Sequence, residues 1–217
     1  MIDPHFSPLG DGGIAIRLGV GISEALSDTV VNCARMISSA EIIGVSDVVP
    51  SYATLTVFYD PTMIGYDDIR GRLVTLLAGD SSERVDAGPE AKVHRIPVVY
   101  DGEDLDDVAS RTGLSRAEVI AIHSGVEYRV FVTGFVPGFA YLGILDTRLA
   151  LPRRESPRKR VPSGSVAIAD RQTGIYPAAT PGGWHLIGTT AEKMFDPSKD
   201  PPSLLEVGDR VRFEPVG

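Results

Sequence analysis

Glycine and proline crowd the stretch from Gly134 to Thr190, which contains GFVPGFAYLG, then PRRESPRKRVPSGSVAIA, then GIYPAATPGGWHLIGTT. Short runs of β-branched and aromatic residues separate them, so the backbone turns sharply many times while its apolar side chains still reach a common interior. Such a pattern builds a small curved sheet or barrel whose connections carry the unusual residues. Gly182 and Gly183 have no Cβ, which lets a bound group approach the main chain or lets the main chain take positive φ. Trp184 follows at once.

The chain has 217 residues, enough for one large domain or two small ones. Apolar residues at 43% and charged residues at 23% match globular averages and argue against long-range disorder. A net charge of -8 argues against a nucleic-acid surface. No apolar run is long enough to span a membrane, and the opening MIDPHFSPLG lacks the basic and apolar regions of a signal peptide, so the expected compartment is the cytoplasm. The single cysteine, Cys33, permits no internal disulfide and suits a reducing compartment.

Ile14 to Leu18 reads as a strand between glycine turns, and Leu26, Val30, Cys33 and Ile37 recur at helical spacing between Ser23 and Ala40. Cys33 lies on that apolar face as a core thiol. Val45 to Val49 and Ala53 to Tyr59 are strands. In the second, Ala53, Leu55, Val57 and Tyr59 alternate with Thr54, Thr56 and Phe58. Gly65 to Leu77 returns to helical spacing, giving most of a split βαβ, ferredoxin-like unit that lacks one closing strand. Val93 to Tyr100 either supplies that strand or opens a second lobe, and we place it in the second. The polar, aperiodic segment Ala78 to Pro89 between them reads as a linker. Asp104 to Thr112 is a short helix stopped by Gly113, and Ser115-Arg116-Ala117-Glu118 has the form of a capping box that starts another, with His123 at its end. Strands follow at Glu127 to Val132, His185 to Ile187 and Arg210 to Glu214.

The four histidines, His5, His94, His123 and His185, have no metal-ligand spacing. A helix C-terminus favours the imidazolium of His123, which then serves as a proton donor or a cationic clamp; a histidine that merely caps free carbonyls is the plainer reading. Gly10-Asp11-Gly12-Gly13-Ile14-Ala15 fits a loose dinucleotide pattern but is followed by a strand rather than a helix, so it is rejected. Pro181-Gly182-Gly183-Trp184, with the Thr180 hydroxyl, is either an anion-binding concavity or an ordinary tight turn with a core tryptophan. Arg153 to Arg160 holds five basic residues and one acid. Arg153 and Arg158, each behind a proline, offer bidentate forks to a carboxylate or phosphate, whereas Lys159 and Arg160 read as solvated or partner-facing. Phe139 and Tyr141 read as pocket walls beside Tyr176 and Trp184, and Phe135 as core.

Five blocks appear in order: Gly134-Phe135-Val136-Pro137-Gly138-Phe139, Pro152-Arg153 with Pro157-Arg158, Val161-Pro162-Ser163-Gly164-Ser165-Val166, Tyr176-Pro177 and Pro181-Gly182-Gly183-Trp184. They resemble the family that holds the B subunit of bacterial 5-oxoprolinase, allophanate hydrolase subunit 1 and the histidine-kinase inhibitor KipI. One departure is Thr189, where the family leads us to expect an arginine. The resemblance implies an α+β chain, with a small ferredoxin-like α/β domain at 1–88 and a cyclophilin-like β-barrel domain at 89–217. It implies the B subunit of an ATP-dependent 5-oxoprolinase, inactive alone. Its partners would be a protein like the 5-oxoprolinase C subunit (allophanate hydrolase subunit 2-like) and one like the 5-oxoprolinase A subunit. No cofactor is tightly bound on this reading; ATP with Mg2+ is a co-substrate of the complex. His123 and Arg158 become the catalytic candidates. Phe139, Tyr141, Arg153, Ser165, Tyr176, Thr180, Pro181, Gly182, Gly183 and Trp184 become the substrate-binding candidates. Action on urea or allophanate, and KipI-like inhibition of a sensor histidine kinase, are the rival readings. A prolyl isomerase rests on fold analogy alone.

Overall fold

Alternation at Leu55, Val57 and Tyr59, all buried, makes Thr54–Tyr59 the central strand of the first sheet. This is a computed structural model that describes residues 4–78 and 91–217. The chain divides into two compact units, 1–90 and 91–217. Apart from Ala78, the segment read as a linker lies outside the described residues.

The first unit runs β1 (His5–Pro8), β2 (Gly13–Arg17), α1 (Glu24–Ser39), β3 (Val45–Pro50), β4 (Thr54–Tyr59) and α2 (Tyr66–Ala78). Its four strands lie in the order β1-β2-β4-β3, with every neighbour antiparallel. Strands β2 and β3 are thus parallel with β4 between them, which is the split βαβ arrangement. The remaining edge position is filled by β1 and not by residues 93–98, so the closing strand comes from the chain's beginning. Ser23 caps α1 by accepting from the Leu26 N–H, and the helix buries Val30, Cys33, Ala34 and Ile37. Burial raises the Cys33 thiol pKa, as expected of a core thiol.

The second unit comprises β5 (Val93–Val98), α3 (Leu105–Thr112), α4 (Arg116–Ser124), β6 (Glu127–Thr133), β7 (Ala140–Gly143), β8 (Arg158–Val161), β9 (Ser165–Ala169), β10 (Gln172–Ile175), β11 (Thr180–Gly182), β12 (His185–Thr189) and β13 (Arg210–Pro215). Seven strands form one sheet in the order β12-β9-β10-β7-β6-β13-β5. Its two edges meet where Val99, just past β5, exchanges backbone hydrogen bonds of 2.9 and 2.8 Å with Thr189. That closure makes a cyclophilin-like barrel and leaves β12 with a partner on both sides. Strand β5 pairs in parallel with β13, so Val93–Val98 belongs to this unit.

The barrel sheet is apolar on two faces. Along β9, Val166 and Ile168 join an interior cluster with Leu142, Tyr128, Ile187 and Phe213, while Ala167 and Ala169 join an outer cluster with Phe139, Val161, Tyr176, Trp184 and Leu186. Leu105 and Val108 of α3 and Val119 of α4 complete the interior. Each fully buried aliphatic side chain of this kind contributes about 1.5–3 kcal/mol over an exposed one. The capping box of α4 forms as read: Ser115 accepts from the Glu118 N–H, and Glu118 accepts from the Ser115 N–H. The outer cluster is flanked by a separate two-stranded ribbon, β8 with β11. No helix among the described residues is long and apolar enough to cross a membrane.

Candidate functional site

The ribbon sets Gly182 opposite Arg158 and Thr180 opposite Val161, with a bulge between the two pairs. Just beyond it, Trp184 packs edge-on to Phe139 and Tyr141, at centroid distances of 5.7 and 5.9 Å. Tyr176 meets Phe139 at 5.4 Å. Outside this aromatic group stands exposed Arg153, its guanidinium 6.0 Å from the centre of the Trp184 ring. Burial raises the Tyr176 phenol pKa, an effect opposed by the Trp184 backbone N–H and by Arg153 and Arg158 nearby.

Arg158 is largely withdrawn from solvent. It donates to Asp104 Oδ1 at 2.7 Å, contacts Glu103 at 2.6 Å and reaches the Trp184 carbonyl at 3.5 Å. Burial alone pulls its pKa down, and the hydrogen bonds and charges of Asp104 and Glu103 outweigh that, leaving it raised. Asp104 anchors the arrangement. It sits at the N-cap of α3 but makes no side-chain cap bond, because its carboxylate is used elsewhere. Oδ1 also accepts from Arg154 at 2.8 Å, and Oδ2 accepts the Leu186 N–H of β12 at 2.7 Å. A carboxylate only 4% exposed is thereby held by two guanidiniums and one backbone donor.

His123 stands apart. It is fully buried on the opposite face of the barrel sheet, stacked on Phe213 at 4.6 Å. Its Nε2 lies 2.9 Å from Thr173 Oγ1, whose own proton is donated to the Ala167 carbonyl, so Nε2 must be the donor. Nδ1 then accepts from the Tyr100 hydroxyl at 2.8 Å. Thr173 faces this interior, whereas the next residue of β10, Gly174, lies beneath Phe139 and Trp184; strand alternation separates the two sets. Burial lowers the His123 pKa to about 3, overriding the helix-end effect, so the cationic role read from the sequence is corrected to a neutral core histidine.

Other expectations also change. Gly182 and Gly183 do not take positive φ, so the handed alternation that makes an anion-binding concavity is not formed there. Gly182 is required for a different reason: a Cβ would strike the Tyr176 phenol. Phe135 and Phe139 exchange roles, with Phe135 57% exposed at a φ of 73° and Phe139 2% exposed. The positive φ places Phe135 in a turn, where strand alternation does not apply. Ser165 is buried on β9 opposite Thr189, at the barrel closure rather than among the aromatic rings. Thr189 itself, the residue in place of an expected arginine, donates to Asp101 at 2.9 Å.

The structure therefore brings together Phe139, Tyr141, Arg153, Arg158, Tyr176, Gly182, Gly183 and Trp184, with Thr180 and exposed Pro181 on the adjoining strand. His123 and Ser165 are not among them. Sequence reading missed Asp104, Glu103 and Arg154. A lone aspartate in the acid-rich run DGEDLDD gives no signal of partners 50 to 82 residues away. Two clefts in the first unit, one of about 660 Å³ lined by Ala40, Ile42, Asp67 and Arg72 among others, do not involve these residues.

Residues 4–205 match the family described as carboxyltransferase domain, subdomain C and D. The chain is 41% identical over 216 residues to the B subunit of 5-oxoprolinase from Bacillus subtilis, an alignment covering 94% of this chain and 90% of that one. The crystal structure of TTHA0988 superposes with a TM-score of 0.83 at 41% identity over 94% of this chain, which spans 40% of the TTHA0988 chain. The Kluyveromyces lactis urea carboxylase shares the fold at a TM-score of 0.78 and 18% identity, covering 100% of this chain and 22% of its own. With its barrel, its sequence and its near full-length likeness in agreement, the chain belongs to the carboxyltransferase-domain family, subdomain C and D, that includes the 5-oxoprolinase B subunit.

Proposed function

We propose that this chain is the B subunit of a cytoplasmic, multi-subunit, ATP-dependent 5-oxoprolinase that opens 5-oxo-L-proline to L-glutamate, acting with a C subunit in lactam activation and with an A subunit that completes hydrolysis. A lactam carbonyl is a poor electrophile. Transfer of the ATP γ-phosphoryl group to its oxygen makes the ring carbon reactive toward water; C–N cleavage then opens the ring as phosphate departs. Such a step calls on the protein for positioning and charge neutralisation rather than covalent help. Mg2+ would arrive with ATP.

The observation that carries this reading is the outer aromatic group edged by Arg153, in a chain whose likeness to a protein named as the 5-oxoprolinase B subunit runs almost end to end. Exposed Arg153 has no ion pair among the described residues, so its fork is open to a substrate carboxylate or a phosphoryl oxygen. Arg158 holds the neighbouring wall through Asp104 and the Trp184 carbonyl.

The test is reconstitution. Mixed with its C and A partners, the chain should support ATP hydrolysis that depends on 5-oxo-L-proline, and Arg153→Ala should lower kcat/KM by about tenfold or more, the worth of one charged hydrogen bond. Binding of a histidine-kinase dimerisation domain by the chain alone, with no lactam-dependent ATP turnover in the mixture, would replace this reading with the inhibitor reading.

A further inference from the structure

Phe135 is unusual both in its backbone and in its exposure. Its φ of 73° lies in the left-handed region, which a bulky residue enters only at a cost in backbone energy, and its ring is 57% exposed. The turn that carries it is fixed on the far side of the ring. The Gly134 N–H donates to the Phe139 carbonyl at 3.1 Å, and the Phe139 N–H donates to the Val136 carbonyl at 3.0 Å. Gly138, at a φ of 83°, lies so close to Met194 and Phe195 that a Cβ there would collide with them. Strain of this kind persists only where the surroundings impose it, and it collects at functional positions.

The arrangement does little for the fold itself. Val136, the smaller side chain, packs against the outer apolar cluster, while the larger Phe135 is held by an edge contact with Phe139 at a centroid distance of 5.5 Å. A glycine or asparagine at this position would take the same backbone conformation with less strain. The segment is also uncharged: Thr133, Gly134 and Pro137 are exposed in the same stretch, and no charged residue occurs from Val130 to Leu145 in a chain that is 23% charged. A small molecule is gripped in a concave site, and a ring that stands out from a turn is a poor wall for one. It has the form of an aromatic anchor that fills a pocket on another protein.

We propose that the turn from Gly134 to Pro137 is the docking knob for the C subunit, with Phe135 entering an apolar, uncharged pocket on that protein. The surface comes from the geometry of the turn, and the identity of its occupant rests on the function proposed above. A solved relative carries a large companion to this fold: the chain spans 40% of the TTHA0988 chain, so most of that polypeptide lies beyond the match. The location also suits the site. Phe139, which meets Phe135 on one edge, packs against Trp184, the ring beside which Arg153 stands. Docking at Phe135 brings the partner close to the face read as the substrate site, and that face is incomplete without it.

Titration calorimetry of the chain against the C subunit tests the assignment. Phe135→Gly and Phe135→Asn should weaken the complex about tenfold or more, while each isolated variant melts at or above the wild-type temperature because the backbone strain is relieved. Thr133→Glu and Thr133→Lys leave Phe135 in place, and both should weaken binding, since a charge of either sign is costly against an apolar pocket. Wild-type affinity in a folded Phe135 variant overturns the assignment, as does tighter binding in either Thr133 variant or the absence of any complex. Melting temperatures that fall in both Phe135 variants, with normal binding by both Thr133 variants, make Phe135 a packing residue and overturn it as well. Self-association of the chain that disappears in Phe135→Gly, with C-subunit affinity intact, assigns the knob to a second copy instead. The two proposals fail separately. Lactam-dependent ATP turnover by a complex indifferent to Phe135 removes the docking site alone. A complex that depends on Phe135 but shows no lactam-dependent turnover with the A subunit removes the 5-oxoprolinase reading alone.

Discussion

Two buried polar networks belong to one barrel unit, and they are built on different terms. Around His123 every donor has an acceptor: Tyr100 to Nδ1, Nε2 to Thr173, and Thr173 to the Ala167 carbonyl. All of its members are neutral. Around Asp104 the groups are charged, two arginines share one carboxylate oxygen, and atoms of Arg154 and His185 are left over. The first network is closed and specifies the barrel interior. The second is open, with hydrogen-bonding capacity left unmatched.

Removing the centre of the open network should have the largest effect. Asp104→Ala strips the acceptor from Arg154, from Arg158 and from the Leu186 N–H at once, leaving two guanidiniums and a strand donor unmatched. We expect a loss of about 3 kcal/mol, the lower end for a broken buried pair because both arginines keep some contact with water. Urea unfolding would measure it. A change under about 1 kcal/mol would mean that Asp104 does not hold the ribbon to the barrel, and the contrast between the networks would collapse.

The closed network can be read by pH. The ordinary imidazole pKa of 6.5 applies to the unfolded chain, and the folded value is lowered to about 3. Between those values the unfolded state binds more protons, so stability is fully present above pH 6.5 and declines as pH falls. The slope is up to about 1.4 kcal/mol per pH unit, or about 2 kcal/mol between pH 6.5 and 5. Carboxylates held low by their partners, such as Asp146 at about 2, titrate below that window. His123→Gln removes the titrating group and should flatten the slope whatever it does to absolute stability. An unchanged slope in that variant would show that the imidazole is not the proton acceptor.

How far the sequence carried these conclusions depends on distance along the chain. The α4 capping box was legible because Ser115 and Glu118 are three residues apart and satisfy each other. The helical face of Cys33 and the alternation of β4 were legible for the same local reason. His123 was placed correctly at a helix end, but its surroundings come from β10, β13 and Tyr100, and desolvation by those distant residues reverses the expected pKa shift. Strand β1 was invisible: four residues ending in a proline become a strand only by pairing with β2. At the site, the order of the glycine, arginine and tryptophan blocks was legible. Asp104 was not, since its ligands lie 50, 54 and 82 residues away.

The smallest expected effect separates the two faces most cleanly. Gly182 reads from sequence as a cradle for a ligand, yet the group that its missing Cβ admits is the Tyr176 phenol of the same chain. Gly182→Ala therefore acts by overpacking: either the phenol moves or the ribbon lifts, at a cost of about 1 kcal/mol. Tyr176 touches Phe139, and Phe139 touches Trp184, so the disturbance stays on the outer face. The interior across β10 lies behind a close-packed sheet. The variant should accordingly melt slightly earlier while keeping the wild-type slope of stability between pH 6.5 and 5, because His123 is untouched. A slope that changed together with the melting temperature would mean that the sheet transmits the displacement, and the two networks would have to be treated as a single coupled unit.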